Sequence, residues 1–406
     1  MVGMPHDPLQ PVLNGDAPFD ATAREIESRA ELDRHLADGS LADLVVLGVR
    51  LDVDAPDLSG VDVSRALFVG CQLASPDVEI DLIRRGAHLV PPFDELPYPT
   101  HPARLYTPDD LAAGFAERGF AVMYDSAVYH HFRSHGGATP DIREALAQRL
   151  HDAGIDNALG KALAAWVAER GKTGAVGIMG GHAEPRGTAA YRMAAELARR
   201  LAGAGRLVVT GGGPGVMEAA NLGAYLAGRP AGELDAAIDM LAEAPDFMDH
   251  DPYTAAALAV RDAFPAPPST EHDVVARLTA GGLALPTWLY GHEPANLFAG
   301  QIGKYFSNAV REDSILRLSR GGIVFAPGRA GTVQEVFQAA TKTFYRTDGP
   351  SGAFVFLGAD HWAALPVEAL LRPLLADSPH GDQSDLIVVT DSLDEAMAAL
   401  TADGTS

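Results

Sequence analysis

From Gly174 to the end of the chain, short apolar runs alternate with helical patterns. The runs Ala175–Met179, Leu207–Thr210, Leu283–Trp288, Ile323–Ala326, Ala353–Leu357 and Leu386–Thr390 read as strands, with helices at about 188–203, 215–227, 294–318, 331–345, 360–376 and 392–401. A strand with almost no polar face is buried on both sides, and repeated strand–helix units lay such strands parallel beneath two layers of helices. The expectation is an α/β fold with a doubly wound, Rossmann-like parallel sheet, whose ligands sit beyond the carboxyl ends of the strands. The insert between about 229 and 281, containing Phe264-Pro265-Ala266-Pro267-Pro268, reads as a helical excursion placed to cover such a site.

Two of the strand ends run into glycine-rich turns. Gly211-Gly212-Gly213-Pro214-Gly215-Val216-Met217-Glu218 follows one strand and Pro327-Gly328-Arg329-Ala330-Gly331-Thr332-Val333-Gln334-Glu335 another, and each leads directly into an alanine-rich helix. Strand, glycine turn and helix together aim unpaired amides and a positive helix end at a phosphate. One such turn is common in doubly wound sheets. Two in one domain, each with a glutamate a few residues into its helix, point to a phosphate-bearing ligand held by Gly212, Gly213 and Gly215 on one side and by the second turn on the other.

The rest of the chain narrows the class. Its 406 residues allow two parts, a smaller α+β region over 1–155 and the Rossmann-like domain over 156–406. With 31 Lys+Arg against 54 Asp+Glu the net charge is −23, so the surface repels nucleic acid and anionic membrane, and any phosphate must be held locally. The single cysteine, Cys71, excludes an internal disulfide and suits a reducing cytoplasm, and no secretory signal or membrane-spanning apolar run is visible. Residues 1 to about 20 read as a loose arm, followed by a helix over about Ala21–Leu36. The stretch Leu41–Leu73 carries short β-rich pieces with polar interruptions, a small β layer with a faint likeness to a pentapeptide coil over too short a span to define one. Helical patterns follow near 78–86, 108–119 and 140–170.

Val208–Ala224 together with Pro327–Glu335 resembles the LONELY GUY group of nucleotide phosphoribohydrolases, long mislabelled as lysine decarboxylases. The second turn matches that family's Pro-Gly-Gly-x-Gly-Thr-x-x-Glu motif, with Arg329 at one glycine. The first turn, Gly-Pro-Gly-Val-Met-Glu-Ala, is nearer to the larger bacterial nucleotide 5′-monophosphate nucleosidases. The resemblance spans roughly residues 174–400. It implies hydrolysis of nucleoside 5′-monophosphates to free base and ribose 5-phosphate, with no cofactor and no metal, in a homodimer or higher homo-oligomer. The family's arginine on the helix before the second motif is matched by Arg311, followed here by Glu312 instead of lysine. Its Gly-Ser-Ser near the first strand is matched by Gly180-Gly181-His182.

Cleavage of a nucleotide's glycosidic bond passes through an oxocarbenium-like ribose attacked by water at C1′, and needs a carboxylate near the ribose and an anchor for the phosphate. Gly328, Arg329, Ala330, Gly331 and Thr332 supply the anchor, with Gly180 and Gly181 beside it. Glu335 is the matching carboxylate, Arg311 orients it, and Glu218 is a second catalytic or ribose-binding candidate. Met217, His292, Glu293 and Asn296 are candidates for base or ribose contact. Other readings stay open at this level. Thr332 and Glu335 have the spacing of a capping box, and Glu218 in a first helical turn simply suits the macrodipole. Arg311 can belong to a charged surface helix, and His292 and Glu293 can cap one. His130-His131 and His250 lack metal-ligand spacing. A dinucleotide fingerprint fails because Gly211-x-Gly213 is not completed by a third glycine, and neither Lys304 nor Lys342 has the setting of a Schiff-base lysine. A nucleotide-binding sensor or carrier without catalysis is the remaining rival.

Overall fold

The structure, a computed structural model, describes residues 25–171, 174–267 and 273–402. These fall into two compact units, one of residues up to Leu105 with His131–Lys161, the other of Tyr106–His130 with the chain from Ala162 onward.

The larger unit is built on a seven-stranded, wholly parallel sheet: β1 (Val176–Met179), β2 (Val208–Thr210), β3 (Leu283–Ala284), β4 (Gln301–Ile302), β5 (Gly322–Phe325), β6 (Phe354–Leu357) and β7 (Ile387–Thr390). Their order is β4-β3-β2-β1-β5-β6-β7, with Val176 opposite both Val208 and Gly322. The chain winds outward from β1 to β4, then returns to the other side of β1 for β5 to β7. Every residue of β1, β2, β5 and β6 is buried, as double-sided coverage requires. The helices that follow β1 are α1 (Ala189–Gly203), α2 (Val216–Tyr225), α3 (Ala231–Ala242), α4 (His250–Ala263), α5 (Val274–Thr279), α6 (Asn308–Leu318), α7 (Ala330–Tyr345), α8 (Ala359–Ala364), α9 (Val367–Ala376) and α10 (Leu393–Thr401). Thr188 caps α1 by accepting from the Tyr191 amide, and Tyr191, Ala194, Ala198 and Leu201 form its buried stripe. α1 lies so close to α2 that a Cβ at Gly223 would strike the Ala195 carbonyl.

The doubly wound fold is as the alternating pattern predicts, with three local differences. The run expected to be a strand over Leu283–Trp288 is a regular strand only at Leu283–Ala284; Pro286 has no amide to give, pairing continues as an isolated parallel bridge from Thr287 to Tyr305, and Trp288–Tyr290 closes a single 3-10 turn. The helix expected over 294–318 exists only as α6. Upstream of it the chain stays irregular between Pro294 and Gly303 and contributes the edge strand β4, where the Tyr106 amide donates to Ile302 O at 2.9 Å. The helix expected over 360–376 breaks into α8 and α9 at Pro366. No described helix is long and apolar enough to cross a membrane.

In the smaller unit the helix begins later than expected, at Arg29 behind the cap Ser28, with Glu25–Ile26 in a strand; residues 21–24 and the expected arm lie outside the described residues. The β-rich stretch is a coil of parallel turns. Val45–Leu47 pairs with Leu67–Val69, which pairs with His88–Val90, while Arg50–Leu51 pairs with Gln72–Leu73 on a second face. Leu41–Leu51 and Val63–Leu73 are therefore two copies of one turn, each with a glycine, Gly48 and Gly70, at the same corner. Val46, Phe68, Val49 and Cys71 fill the interior. The corner one strand earlier is left-handed in all three turns, at Asp43 (φ 61°), Arg65 (φ 57°) and Gly86 (φ 96°). The two non-glycine residues bridge each other side by side, Arg65 Nε and Nη2 each 2.6 Å from an Asp43 oxygen. A β-branched residue is strained at such an angle, so Gly86→Val is expected to destabilise this unit by about 1–2 kcal/mol, and Gly86→Asn by less than half as much, in urea unfolding.

Candidate active site

Both glycine turns, and the turn after β1, meet at the carboxyl edge of the sheet, on either side of the point where the winding reverses. Their backbones are laced together. The Gly181 amide donates to Pro327 O at 2.9 Å, and the Val216 amide donates to Gly181 O at 3.2 Å. Gly215 makes the second bond possible, because it turns at φ 70° and a Cβ there would run into the same Gly181 carbonyl. Behind the first turn, Thr210 Oγ1 accepts from the Gly212 amide and donates to Asn221 Oδ1, which also accepts from Asn296 Nδ2 at 2.9 Å.

A cavity of about 520 Å³ opens between these turns. Its lining includes Gly180 and Gly181, Gly211–Gly213 and Met217, Glu293, Arg311 and Glu312, Gly328, Arg329, Gly331, Thr332 and Glu335. Most candidates read from the sequence are thus brought to one place. Ala330, Gly215, His292, Asn296 and Glu218 are not part of the lining. Asn296 is buried beneath the first turn, where its Nδ2 also reaches Met217 O at 3.3 Å, and His292 is exposed with its carbonyl accepting from His250 Nε2.

The second turn delivers the N-terminus of α7. Arg329 is the cap residue and makes no side-chain cap bond, so the first amides of α7 have no acceptor within the helix. Arg329 itself is extended (φ −112°, ψ −152°), a conformation open to any residue, which is why arginine fits where the related motif has glycine. With the helix starting at Ala330, Thr332 lies inside its first turn and Glu335 in its second. The capping-box spacing of the pair is therefore not used.

Glu335 instead faces the cavity. Burial pushes its carboxyl up to about 7, against the pull of the Arg311 charge and with a further push from Glu312. Arg311 is 7% exposed and is clamped through backbone and amide oxygens. Its Nε donates to Leu285 O at 2.7 Å, Nη1 to Asn308 Oδ1 at 3.0 Å and Nη2 to Gly211 O at 3.3 Å. This leaves its charge to be felt by Glu335 and by Glu293, whose carboxyl is also raised by burial. Glu312, which stands where the related motif has lysine, accepts from Asn308 Nδ2 and Gln334 Nε2 and so ties α6 to α7.

Glu218 is not part of the cavity lining and is held by a network of its own. Its carboxylate accepts from Arg186 Nε at 2.8 Å and Nη2 at 2.5 Å, from Tyr253 Oη at 2.7 Å and from Tyr191 Oη at 3.0 Å. The whole set is buried. Burial works against the Arg186 charge, but Glu218 outweighs it and holds the guanidinium proton more tightly than usual. Four donors from three segments occupy this one carboxylate, and it stands behind the first turn, not on the cavity wall. The network joins α2, α1 and α4, so the insert is pinned to the sheet layer through Tyr253, and none of its described residues lines the cavity.

Several lining residues were not singled out from the sequence. Glu184, His182, Tyr290 and His361 follow or flank strand ends, which is the signal that locates them. Lys304 is 2% exposed and its Nζ lies 2.6 Å from Asp125 Oδ1, whose other neighbour is Trp288 Nε1 at 2.9 Å. A chain with only four lysines that buries one beside a cavity gives a clue in hindsight, but its partner Asp125 is too distant in sequence to be read.

Residues 173–231, which carry β1, the first glycine turn and α2, match the SLOG cluster4 family, a branch of the SLOG superfamily, and the match points to a nucleotide-related function. No curated protein matches the chain. The second turn, Arg311 and Glu335 lie outside the matched stretch.

Removing one partner of a buried ion pair strands the other charge. Glu218→Ala is therefore expected to cost about 3 kcal/mol or more of stability, and the double variant Arg186→Met/Glu218→Leu to recover much of the loss, as read by chemical denaturation.

Proposed function

We propose that the chain hydrolyses the N-glycosidic bond of nucleoside 5′-monophosphates to free base and ribose 5-phosphate. The observation that carries this reading is that a glycine turn at a helix N-terminus, the buried Arg311 and the half-buried Glu335 open onto the same cavity. The phosphate rests on the amides of Gly328–Thr332 at the head of α7, with the Arg329 guanidinium beside it. The ribose then lies against Glu335. Water adds to C1′ as the C1′–N bond breaks, the bonding electrons leave with the base, and the proton of the water passes to the Glu335 carboxylate. Arg311 favours the ionised form of Glu335 that this step requires, and Met217, Tyr290 and Glu293 border the space left for the base. The nucleotide-related family match over the first turn supports the same ligand class.

Incubation with a panel of nucleoside monophosphates, followed by detection of free base, tests the reading. Base release is expected from monophosphates and at least a hundredfold more slowly from the matching nucleosides. Equal rates for the two would remove the phosphate turn from the argument. Binding of monophosphates with no base released would leave a sensor or carrier in place of an enzyme.

Glu335 gives a second test in which activity and stability move oppositely. Glu335→Gln keeps the shape and is expected to lower turnover by about two or more orders of magnitude, and wild-type activity should fall as the pH drops below about 7 and the carboxyl protonates. A carboxyl that titrates near 7 when folded and at its ordinary 4.5 when unfolded weakens the fold as pH rises from 4.5 to 7, and by a constant amount above that. Glu335→Gln should accordingly be more stable than wild type at pH 8, by on the order of 1–3 kcal/mol, and equal to it near pH 4.5. A variant that is fully active, or less stable at pH 8, would return Glu335 to a purely structural role.

A further inference from the structure

Beyond the β5–α7 turn, one side chain meets the phosphate cradle from another strand. After β6, Gly358 leads into α8, and His361 on that helix reaches back over the second glycine turn and lines the cavity. The Gly328 amide donates to His361 Nε2 at 3.4 Å. An amide can only donate, so Nε2 is the acceptor in this contact. The ring is fixed from below. Gly358 packs against the Pro327 ring, and His361 stands edge-on to Trp362, whose indole N–H donates to Leu357 O at 2.8 Å and to Phe325 O at 3.2 Å. β5 and β6 thus hold the turn and the imidazole in register.

A phosphate oxygen seated on the turn competes with Nε2 for the Gly328 amide. A neutral Nε2 facing that oxygen would set lone pair against negative charge, whereas a protonated Nε2 becomes a donor with a charge of the right sign. We propose that His361 is a phosphate-binding residue that takes up a proton as the phosphate monoester binds, donating Nε2–H to one phosphate oxygen and releasing the Gly328 amide to another. This rests on the reading of the second turn as the phosphate site. Above the second ionisation of the ester, near pH 6, the proton comes from solvent; below it, the ester's own hydroxyl supplies it. No bond other than N–H and O–H is made or broken. Charged groups on its own and the neighbouring elements are Arg329 on the turn, Asp360 on its own helix, Asp391 beyond β7, which accepts from the Ala359 amide, and the paired Glu368 and Arg372 on α9.

Calorimetry of the full chain with ribose 5-phosphate and with inorganic phosphate at pH 8, in buffers of different ionisation enthalpy, reads the proton directly. At that pH ribose 5-phosphate is a dianion, so a proton taken up as it binds goes to the protein. Wild type is expected to take up a substantial fraction of a proton per site. His361→Asn, which can donate without titrating, should bind with that uptake lost, and His361→Phe should bind about tenfold or more weakly. Glu335→Gln should retain the uptake, which separates the imidazole from the other group able to accept a proton. Binding with no uptake, uptake that survives in His361→Asn but not in Glu335→Gln, or unchanged affinity in His361→Phe would each overturn the role of His361 while leaving the phosphate turn intact. Failure of wild type to bind either ligand would overturn the turn and the imidazole together.

Discussion

The peptide of Gly181 is the joint on which the site depends. Its N–H is held by Pro327 O and its C=O by the Val216 amide, so one residue beyond β1 fixes the spacing of two glycine turns that belong to strands on opposite sides. A doubly wound sheet leaves a crevice where its winding reverses, because neighbouring connections there lead away from each other. In this chain that crevice lies between β2 and β5 with β1 at its centre. Two backbone hydrogen bonds across it set how far apart the turns stand, and with that how large a ligand the cavity admits. Side chains at Gly180 or Gly215 would force the turns apart.

The two motif glutamates show how environment assigns roles to identical groups. Glu218 is buried with four donors and closes a network that fastens α4 to α1 and α2. Glu335 is placed beside a guanidinium whose hydrogen bonds go to neutral oxygens, and burial keeps its proton on to about pH 7. The first arrangement ties the carboxylate to four fixed donors. In the second, burial holds back ionisation at a cost in stability, the pattern on which the proposed role of Glu335 rests. Lys304 with Asp125 repeats the first arrangement at the edge of the same cavity.

The smaller unit solves a different problem with the same economy of backbone. Its parallel turns repeat every 22 residues through Val45 opposite Leu67 and Arg50 opposite Gln72, which brings equivalent corners into a column. Where the corner must be left-handed the column holds Asp43, Arg65 and Gly86. The first two offset part of their backbone strain with a mutual salt bridge, and the third avoids the strain altogether.

The alternation of apolar runs and helical spacing determined the parallel sheet, since a strand with no polar face has few other places to go, and the glycine turns marked the two strand ends that matter. Glu335 was legible from its place in the second turn's motif, and Arg311 from the resemblance to a family that carries an arginine on the preceding helix. Other features needed the folded chain. Glu218 shares its motif position with Glu335, and only the fold brings Arg186, Tyr191 and Tyr253 from three separate segments onto its carboxylate. The capping-box spacing of Thr332 and Glu335 was misleading because helix start is set by where β5 ends, not by local preference alone. Between Pro294 and Gly303 the helical pattern gave way to an edge strand because β3 offered a free row of backbone groups. His361 and Lys304 carry no motif, and they reach the cavity because β6 and the β4–α6 segment end there. Spacing along the chain records what local geometry requires, while pairing between distant segments, which decides the charge and burial of each group, is fixed only when the sheet closes.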